Sequence, residues 1–275
     1  MIEKFPNKVA IIAGQGHLPR ELYDACIKNN IQANVIGLED QVDIKFFEGI
    51  DIDLVPLHSV SQIIKKIKSK NIDKVILGGR VKRCAIPKLI FDIKGAKLFA
   101  RIIRYGLSDG SLTKVIINFL ENEGFTVLSP EMIAQDMLAT KGNMTNIPIR
   151  QNHMKDMIRG CEMLYEISKL DVGQALIIQN SLILGVEAVE GTDELIKRCG
   201  LIKQKFETEP VLVKICKPTQ DKRIDMPCIG EVTIKHMNDY GIRGIGLQAG
   251  SCLILNKNKT INLANQHGIF IYGLQ

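Results

Sequence analysis

The sequence predicts an α/β protein of two domains, and three observations predict it. Short β-type apolar runs alternate with helical apolar patterns, glycine turns follow several of the runs, and one polar aperiodic stretch divides the chain near its middle. At 275 residues, 45% hydrophobic and 24% charged, the chain can bury one large core or two modest ones. Disorder, a collagen-like rod and a disulfide miniprotein are excluded on composition.

The elements follow in order. Lys8–Ala13 reads as a strand, Gly14-Gln15-Gly16-His17-Leu18-Pro19 as a turn, and the pattern through Leu22, Cys26 and Ile27 as a helix. Residues 33–38 form a second strand, 60–70 a helix with Ile63, Ile64 and Ile67 on one face, and 73–77 a third strand running into Gly78-Gly79-Arg80. Helical patterns over 88–104 and 111–123, a strand at 125–128 and a short helix opened by Pro130 complete this half. The alternation implies a mainly parallel, Rossmann-like sheet covered on both faces.

The polar stretch Thr140–Pro148 places a boundary at residue 145, so that 1–145 form the Rossmann-like domain and 146–275 a second α/β domain. Beyond it come a helix over 153–168 and a strand pair, 175–178 and 182–186, around Gln179-Asn180-Ser181. A helix at 192–199, a strand at 211–215, a helix at 231–240 ended by Gly241, and strands at 252–255 and 269–272 follow.

Lys and Arg number 36 against 30 Asp and Glu, a formal charge of +6. That excess suits a phosphate-rich ligand or an anionic surface but is too small to indicate nucleic acid, and 5% aromatics without Trp leave no base-stacking platform. Seven scattered cysteines (26, 84, 161, 199, 216, 228 and 252) show neither a CxxC pair nor a His-paired zinc spacing, and read as reduced thiols. The start lacks the zones of a signal peptide, and no apolar run reaches the roughly 18 residues that span a bilayer. A cytoplasmic location is expected, with peripheral contact to an anionic inner-membrane face left open.

Several motifs can carry chemistry. Gly14, Gln15 and Gly16 lie where a strand gives way to a helix, the place where backbone N–H groups and the helix dipole meet a phosphate. Pro19 replaces the third glycine of a dinucleotide fingerprint, so a tight βα turn explains the motif as well. Gly79 and Arg80, with Lys82 and Arg83, end a strand and form either a phosphate clamp or a solvated basic loop. Ser108 and Asp109 read as a helix cap. Thr192 reads as an N-cap with Asp193 and Glu194 favouring the helix dipole, which leaves Glu187 and Glu190 unexplained unless a divalent cation links them to phosphate.

The richest stretch runs from Leu212 to Pro227, with prolines at 218 and 227 that rule out a regular helix. Fully extended, Asp221 and Asp225 would lie about 13 Å apart, so only a turn lets them share a metal. Surface ion pairing among these residues is the plain alternative. Lys214, Lys217, Asp221, Arg223 and Asp225 nevertheless supply carboxylates for metal and base and cations for phosphate, the components of pyrophosphate chemistry. Residues 241–250 are glycine-dense, which serves either close ligand approach or turns between short strands.

These blocks, together with Asp171-Val172-Gly173-Gln174-Ala175, Val186–Asp193 and Gln248-Ala249-Gly250, resemble the metal-dependent UDP-2,3-diacylglucosamine pyrophosphatases of lipid A synthesis, the form unrelated to the calcineurin-like phosphoesterases. The resemblance spans nearly the whole chain in order, and the 217–227 block is its most specific part. It implies two α/β domains with the active site between them, the second being catalytic, and hydrolysis of UDP-2,3-diacylglucosamine to UMP and 2,3-diacylglucosamine 1-phosphate with Mg²⁺ or Mn²⁺. On this reading Asp225 is the key acid and metal ligand, helped by Asp221 and Glu187, while Lys214, Lys217 and Arg223 neutralise developing charge. Gly14, Gln15, Gly16, Gly79, Arg80, Glu190, Gly191, Thr192, Asp193, Gln248 and Gly250 contact substrate. One departure is that the family's paired acidic Gly-Asp-Asp is Leu107-Ser108-Asp109-Gly110 here, with one carboxylate fewer. An anionic inner-membrane surface is the expected macroscopic partner, and a homodimer is compatible with the sequence.

Two other classes stay open at this stage. Gly14 and Gly16, with Glu39 or Asp40 after the second strand, allow a nicotinamide-dependent oxidoreductase, which the lost third glycine opposes. A sugar-nucleotide or lipid binding module would bind without releasing UMP.

Overall fold

A computed structural model describes residues 5–82, 87, 92–105, 109–205, 207–218, 220–224 and 226–275. Contacts group the chain into two compact units, Met1–Gln135 with Asp221–Asp225, and Asp136–Gln220 with Met226–Gln275. The division thus falls between residues 135 and 136, ten positions before the expected 145, and a short piece of the later chain joins the first unit.

The first unit runs β1 (Lys8–Ala13), α1 (Leu18–Lys28), β2 (Gln32–Leu38), β3 (Ile52–Val55), α2 (Val60–Ser69), β4 (Lys74–Gly78), α3 (Ile93–Tyr105), α4 (Asp109–Asn122) and β5 (Thr126–Val127). Its sheet has the order β3-β2-β1-β4-β5, every pair parallel. Strand order runs outward in opposite directions from the β1/β4 pair, which makes that pair the switch point where such sheets bind ligands. From Val9 to Ala13 the first strand is buried throughout, as expected for a strand with both faces covered. On one face Ile12, Ile36 and Val75 pack with Ile63, Ile64 and Ile67 of α2 and with Leu98 and Ile102 of α3. Tyr23 of α1 joins Ala13, Val35 and Phe47 in a second cluster. Sequence reasoning misses β3, a sheet-edge segment in which no alternation stands out.

The second unit contains β6 (Gly142–Asn143), α5 (Gln151–Ser168), β7 (Ala175–Gln179), β8 (Leu182–Val186), α6 (Thr192–Ile202), β9 (Val211–Lys214), β10 (Cys228–Ile229), α7 (Glu231–Tyr240), β11 (Gly244–Gln248), β12 (Leu253–Ile254), α8 (Lys257–Gln266) and β13 (Phe270–Leu274). Six strands form one sheet in the order β6-β13-β11-β9-β7-β8, with β9, β11 and β13 parallel and β6, β7 and β8 antiparallel to their neighbours. Alternation along β9 sends Val211 and Val213 to Met157 and Leu164 of α5, and Leu212 to the opposite core with Leu195, Ile196, Ile234 and Met237. The pair β10–β12 forms a small separate sheet.

Two expectations change here. The glycine-dense segment is not a string of turns but the central strand β11, and its glycines make room: a Cβ on Gly244 would lie 1.9 Å from the Phe270 ring, and one on Gly246 3.1 Å from Met157. The polar stretch at 140–148 contains the edge strand β6, bonded to β13. The β7–β8 hairpin forms where expected. Asn180 and Ser181 both adopt left-handed backbone at its tip, and their N–H groups donate to the buried Asp156 carboxylate at 2.8 and 2.7 Å. Gly241 ends α7 with φ of 71°, the left-handed cap foreseen.

Candidate functional site

In the first unit, the loops after β1 and β4 interlock. Gly14 N–H donates to Gly78 O at 2.8 Å, while Gln15 and Arg80 exchange backbone bonds of 2.8 and 3.1 Å. Glycine is required on both sides: a Cβ on Gly14 would lie 2.5 Å from Arg80 O, and one on Gly79, whose φ is +85°, 2.5 Å from Gln15 O. Gly16 N–H donates to the Asp43 carboxylate at 2.9 Å, and His17 stacks on Phe46 with ring centroids 3.9 Å apart. Buried Gln41 accepts from Lys82 N–H at 3.0 Å, so the segment after β2 binds both loops. The N–H groups of Gly14, Gln15 and Gly16 are therefore all occupied within the unit. Close packing accounts for Gly14 and Gly79, and a left-handed φ of +91° in open space accounts for Gly16. The Arg80 side chain is exposed at the rim.

Under the carboxyl ends of β1, β2 and β4 lies a cavity of about 150 Å³. Ile12, Leu38, Leu57, Leu77, Val81 and Leu112 line it together with the inner faces of α2, α3 and α4, all apolar. Such a space excludes phosphate and suits a hydrocarbon chain.

The second unit gathers its polar residues at the edge where β9 and β11 end. Lys214, the last residue of β9, is buried, and its Nζ donates to Thr192 Oγ1 at 2.6 Å. Thr192 in turn donates to Glu187 Oε1 at 2.6 Å, and the ammonium and carboxylate are 3.9 Å apart. Gln174 N–H donates to the other Glu187 oxygen at 3.2 Å. Lys217, also buried, pairs with Asp171 at 2.6 Å, its N–H donates to Gln220 Oε1 at 3.0 Å, and the Gln220 amide donates to Gln174. Gln248 at the end of β11 accepts from Cys216 N–H at 2.9 Å. Burial pushes the Cys252 thiol up to about 12, with Lys214 only partly opposing it, so it remains protonated and donates to Lys214 O at 3.5 Å.

Thr192 is consequently not the cap of α6. Gly191, with φ of 83°, holds that position, and no side chain caps the helix. Glu190 pairs with Arg198 at 2.9 Å; partial burial raises its pKa, but hydrogen bonds including those from Arg198 and Ala188 hold it below the ordinary range. Asp193 lies 3.4 Å from His236 Nδ1. Gly250 has φ of +68° with open space around it.

The 214–227 block divides between the units. Lys214, Lys217 and Gln220 belong to the second, while Asp221 and Arg223 belong to the first, where Arg223 binds Asp221 bidentately at 2.9 and 2.7 Å and Glu121 at 2.7 Å. Hydrogen bonds from Arg223 hold the Asp221 carboxyl below its usual range. Asp225 and Arg83 lie outside the described residues, as does the side chain of Asp109.

Among the described residues no cluster of three or more His, Cys, Asp or Glu could hold a metal ion. The donor chemistry agrees, since Asp221 is committed to Arg223, and Glu187 to Thr192 and Gln174 beside a lysine. These two carboxylates do not by themselves fit a divalent cation, which prefers unneutralised oxygens.

Sequence reasoning assigns no role to Asp43, Asp171, Gln174 or Gln220. The last three fall within blocks that carry the resemblance, and that was their available signal. Asp43 has none, because its bond to Gly16 spans 27 residues.

Two family models match the chain, the LpxI N-terminal domain over residues 8–137 and the LpxI C-terminal domain over residues 140–272. A curated relative, the UDP-2,3-diacylglucosamine pyrophosphatase LpxI of Caulobacter vibrioides, is 28% identical over 276 residues, covering 98% of each chain. A solved structure of the Hydrogenobacter thermophilus 2-oxoglutarate carboxylase biotin carboxylase domain matches with a TM-score of 0.25 and 11% identity, covering 64% of this chain and 35% of that one. That last likeness carries no argument.

Proposed function

The chain belongs to the LpxI family, and from that premise we propose that it hydrolyses the pyrophosphate of UDP-2,3-diacylglucosamine to UMP and 2,3-diacylglucosamine 1-phosphate in lipid A synthesis. The observation that carries this reading is the match of both family domains, in order, along 8–137 and 140–272. Two features of the geometry support it. Lys214 and Lys217 are buried cations held at the carboxyl end of β9, where charge developing on a leaving phosphate can be balanced. The apolar cavity in the first unit offers the surroundings that an acyl chain needs.

In this reading the second unit contributes positioned charge. Thr192 and Asp171 fix the two ammonium groups, while Gln174, Gln220 and Gln248 order the loops around them. Arg80, exposed after β4, is the first unit's cation for the substrate's phosphates, whereas Arg223 is held by Asp221 and Glu121. Of the three carboxylates expected to hold Mg²⁺ or Mn²⁺, Asp221 and Glu187 are otherwise bonded, so this reading gives that part to Asp225. No step is assigned to an ion. The membrane from which a diacylated substrate is drawn makes an anionic surface the expected partner.

No observation favours the nicotinamide alternative, because the N–H groups of Gly14 and Gly16 that it requires are occupied by Gly78 and Asp43. UMP release from UDP-2,3-diacylglucosamine tests the proposal. Release that stops with EDTA and with Asp225→Asn is expected; near-normal turnover of Asp225→Asn removes that residue from its role, and absence of UMP from the unmodified chain removes the activity.

A further inference from the structure

Helix α3 in the first unit, Ile-Lys-Gly-Ala-Lys-Leu-Phe-Ala-Arg-Ile-Ile-Arg-Tyr, carries Lys94, Lys97, Arg101 and Arg104 and no acidic residue. Its inner face is spent on the core through Leu98 and Ile102. Its outer face is not polar throughout, since Ile93 is 79% exposed and Ile103 59% exposed, two of the most exposed large apolar side chains in the molecule. At helical spacing these two share one outer face with Lys97, Ala100, Arg101 and Arg104, all exposed. Lys94 is paired with Glu123, but among the described residues no carboxylate lies within ion-pair distance of Lys97 or Arg101.

Beside this face, between α3 and α4, is a pocket of about 670 Å³ lined by Arg101, Arg104, Asn118, Glu121 and Asn122. The one carboxylate in that lining already pairs with Arg223 at 2.7 Å. The pocket therefore offers the Arg101 guanidinium and the Asn118 amide to an anionic group, with apolar side chains next to it on the same helix.

We infer that the outer face of α3 is the surface by which this protein docks on an anionic bilayer, with Ile93 and Ile103 entering the acyl boundary and Lys97 and Arg101 meeting lipid phosphates. What sets this face apart is the combination: two exposed isoleucines beside Lys97 and Arg101 on a helix without an acidic residue. Lying flat at an anionic lipid surface uses both. The inference names the surface for the membrane contact put forward above and rests on that part of the reading.

The test is flotation of the full chain with vesicles of phosphatidylcholine alone and of phosphatidylcholine containing phosphatidylglycerol. Binding to the anionic vesicles only, reversed by high salt, is expected. Lys97→Gln with Arg101→Gln, and separately Ile93→Ser with Ile103→Ser, should each weaken it roughly tenfold. Both variants should keep the parent melting temperature and the parent rate of UMP release from detergent-dispersed substrate. Failure of the parent chain to bind anionic vesicles, equal binding to neutral ones, or undiminished binding by both variants overturns the inference. Vesicle binding without UMP release by the parent chain overturns the enzymatic reading and leaves the docking surface standing.

Discussion

The Lys214 ammonium donates to the Thr192 hydroxyl at 2.6 Å, and that hydroxyl has one proton of its own, which goes to Glu187 at 2.6 Å. A buried cation and a buried carboxylate are thus joined through one oxygen atom. The two charges lie 3.9 Å apart, with side-chain exposures of 3% and 7%.

Thr192→Val keeps the shape and removes the bridge. It should cost about 1–3 kcal/mol, the usual cost of leaving buried polar groups unsatisfied. Urea unfolding of Thr192→Val and Thr192→Ser decides the point, because serine keeps the oxygen and should retain most of the stability and of the UMP release. Loss in Thr192→Ser with none in Thr192→Val would show that the methyl group, not the hydroxyl, matters.

Glycine is needed at 79 for two reasons and at 16 for one. Gly79→Ala brings both backbone strain and a contact with Gln15 O, whereas the space around Gly16 is open. Gly16→Ala should cost about 1 kcal/mol and Gly79→Ala at least about twice that. Thermal melts of the two variants compare them, and a reversed order would contradict the close approach of the two loops.

Acid should weaken the first unit through Asp221. Its native carboxyl lies below the ordinary range because Arg223 donates to it, so the pair's stabilisation is present above the unfolded value of about 3.9 and is lost as pH falls through the lower native value. Stability measured from about pH 5 downward should decline less steeply in Asp221→Asn than in the parent chain. Parallel curves would place the acid sensitivity elsewhere.

Filling the apolar cavity should alter chain-length preference. Ile116→Phe adds bulk to its lining, and the ratio of turnover on long-chain to short-chain UDP-2,3-diacylglucosamine should drop roughly tenfold, the effect of one to two methylene contacts. An unchanged ratio, with the variant folded, would separate the cavity from substrate.

Much of the fold is legible because local chemistry decides it. Apolar runs closed by Gly14, Gly79 and Gly241 report β1, β4 and α7 directly. The helix α8 escapes notice because only Thr260 and Ala264 are buried along Lys257–Gln266, too few for an apolar stripe. Strand β11 escapes because Gly244 and Gly246 give their space to Phe270 and Met157, partners far away in sequence. The candidate site divides in the same way. Its residue types are visible in the blocks around 187–193 and 214–217, but Thr192 looks like a cap until Lys214, 22 positions later, is seen to hold it. Arg223 and Asp221, near neighbours that do pair, are the case in which the plain ion-pair alternative describes the geometry.

The tip of the β7–β8 hairpin has a consequence for how the second unit comes apart. Asp156 sits inside α5, yet its two oxygens hold the backbone of Asn180 and Ser181. Freeing the hairpin tip therefore strands a buried charge in the helix, and unwinding the helix there releases the turn. The two segments form one opening unit, so amide exchange should report a single protection factor across elements that share no strand ladder.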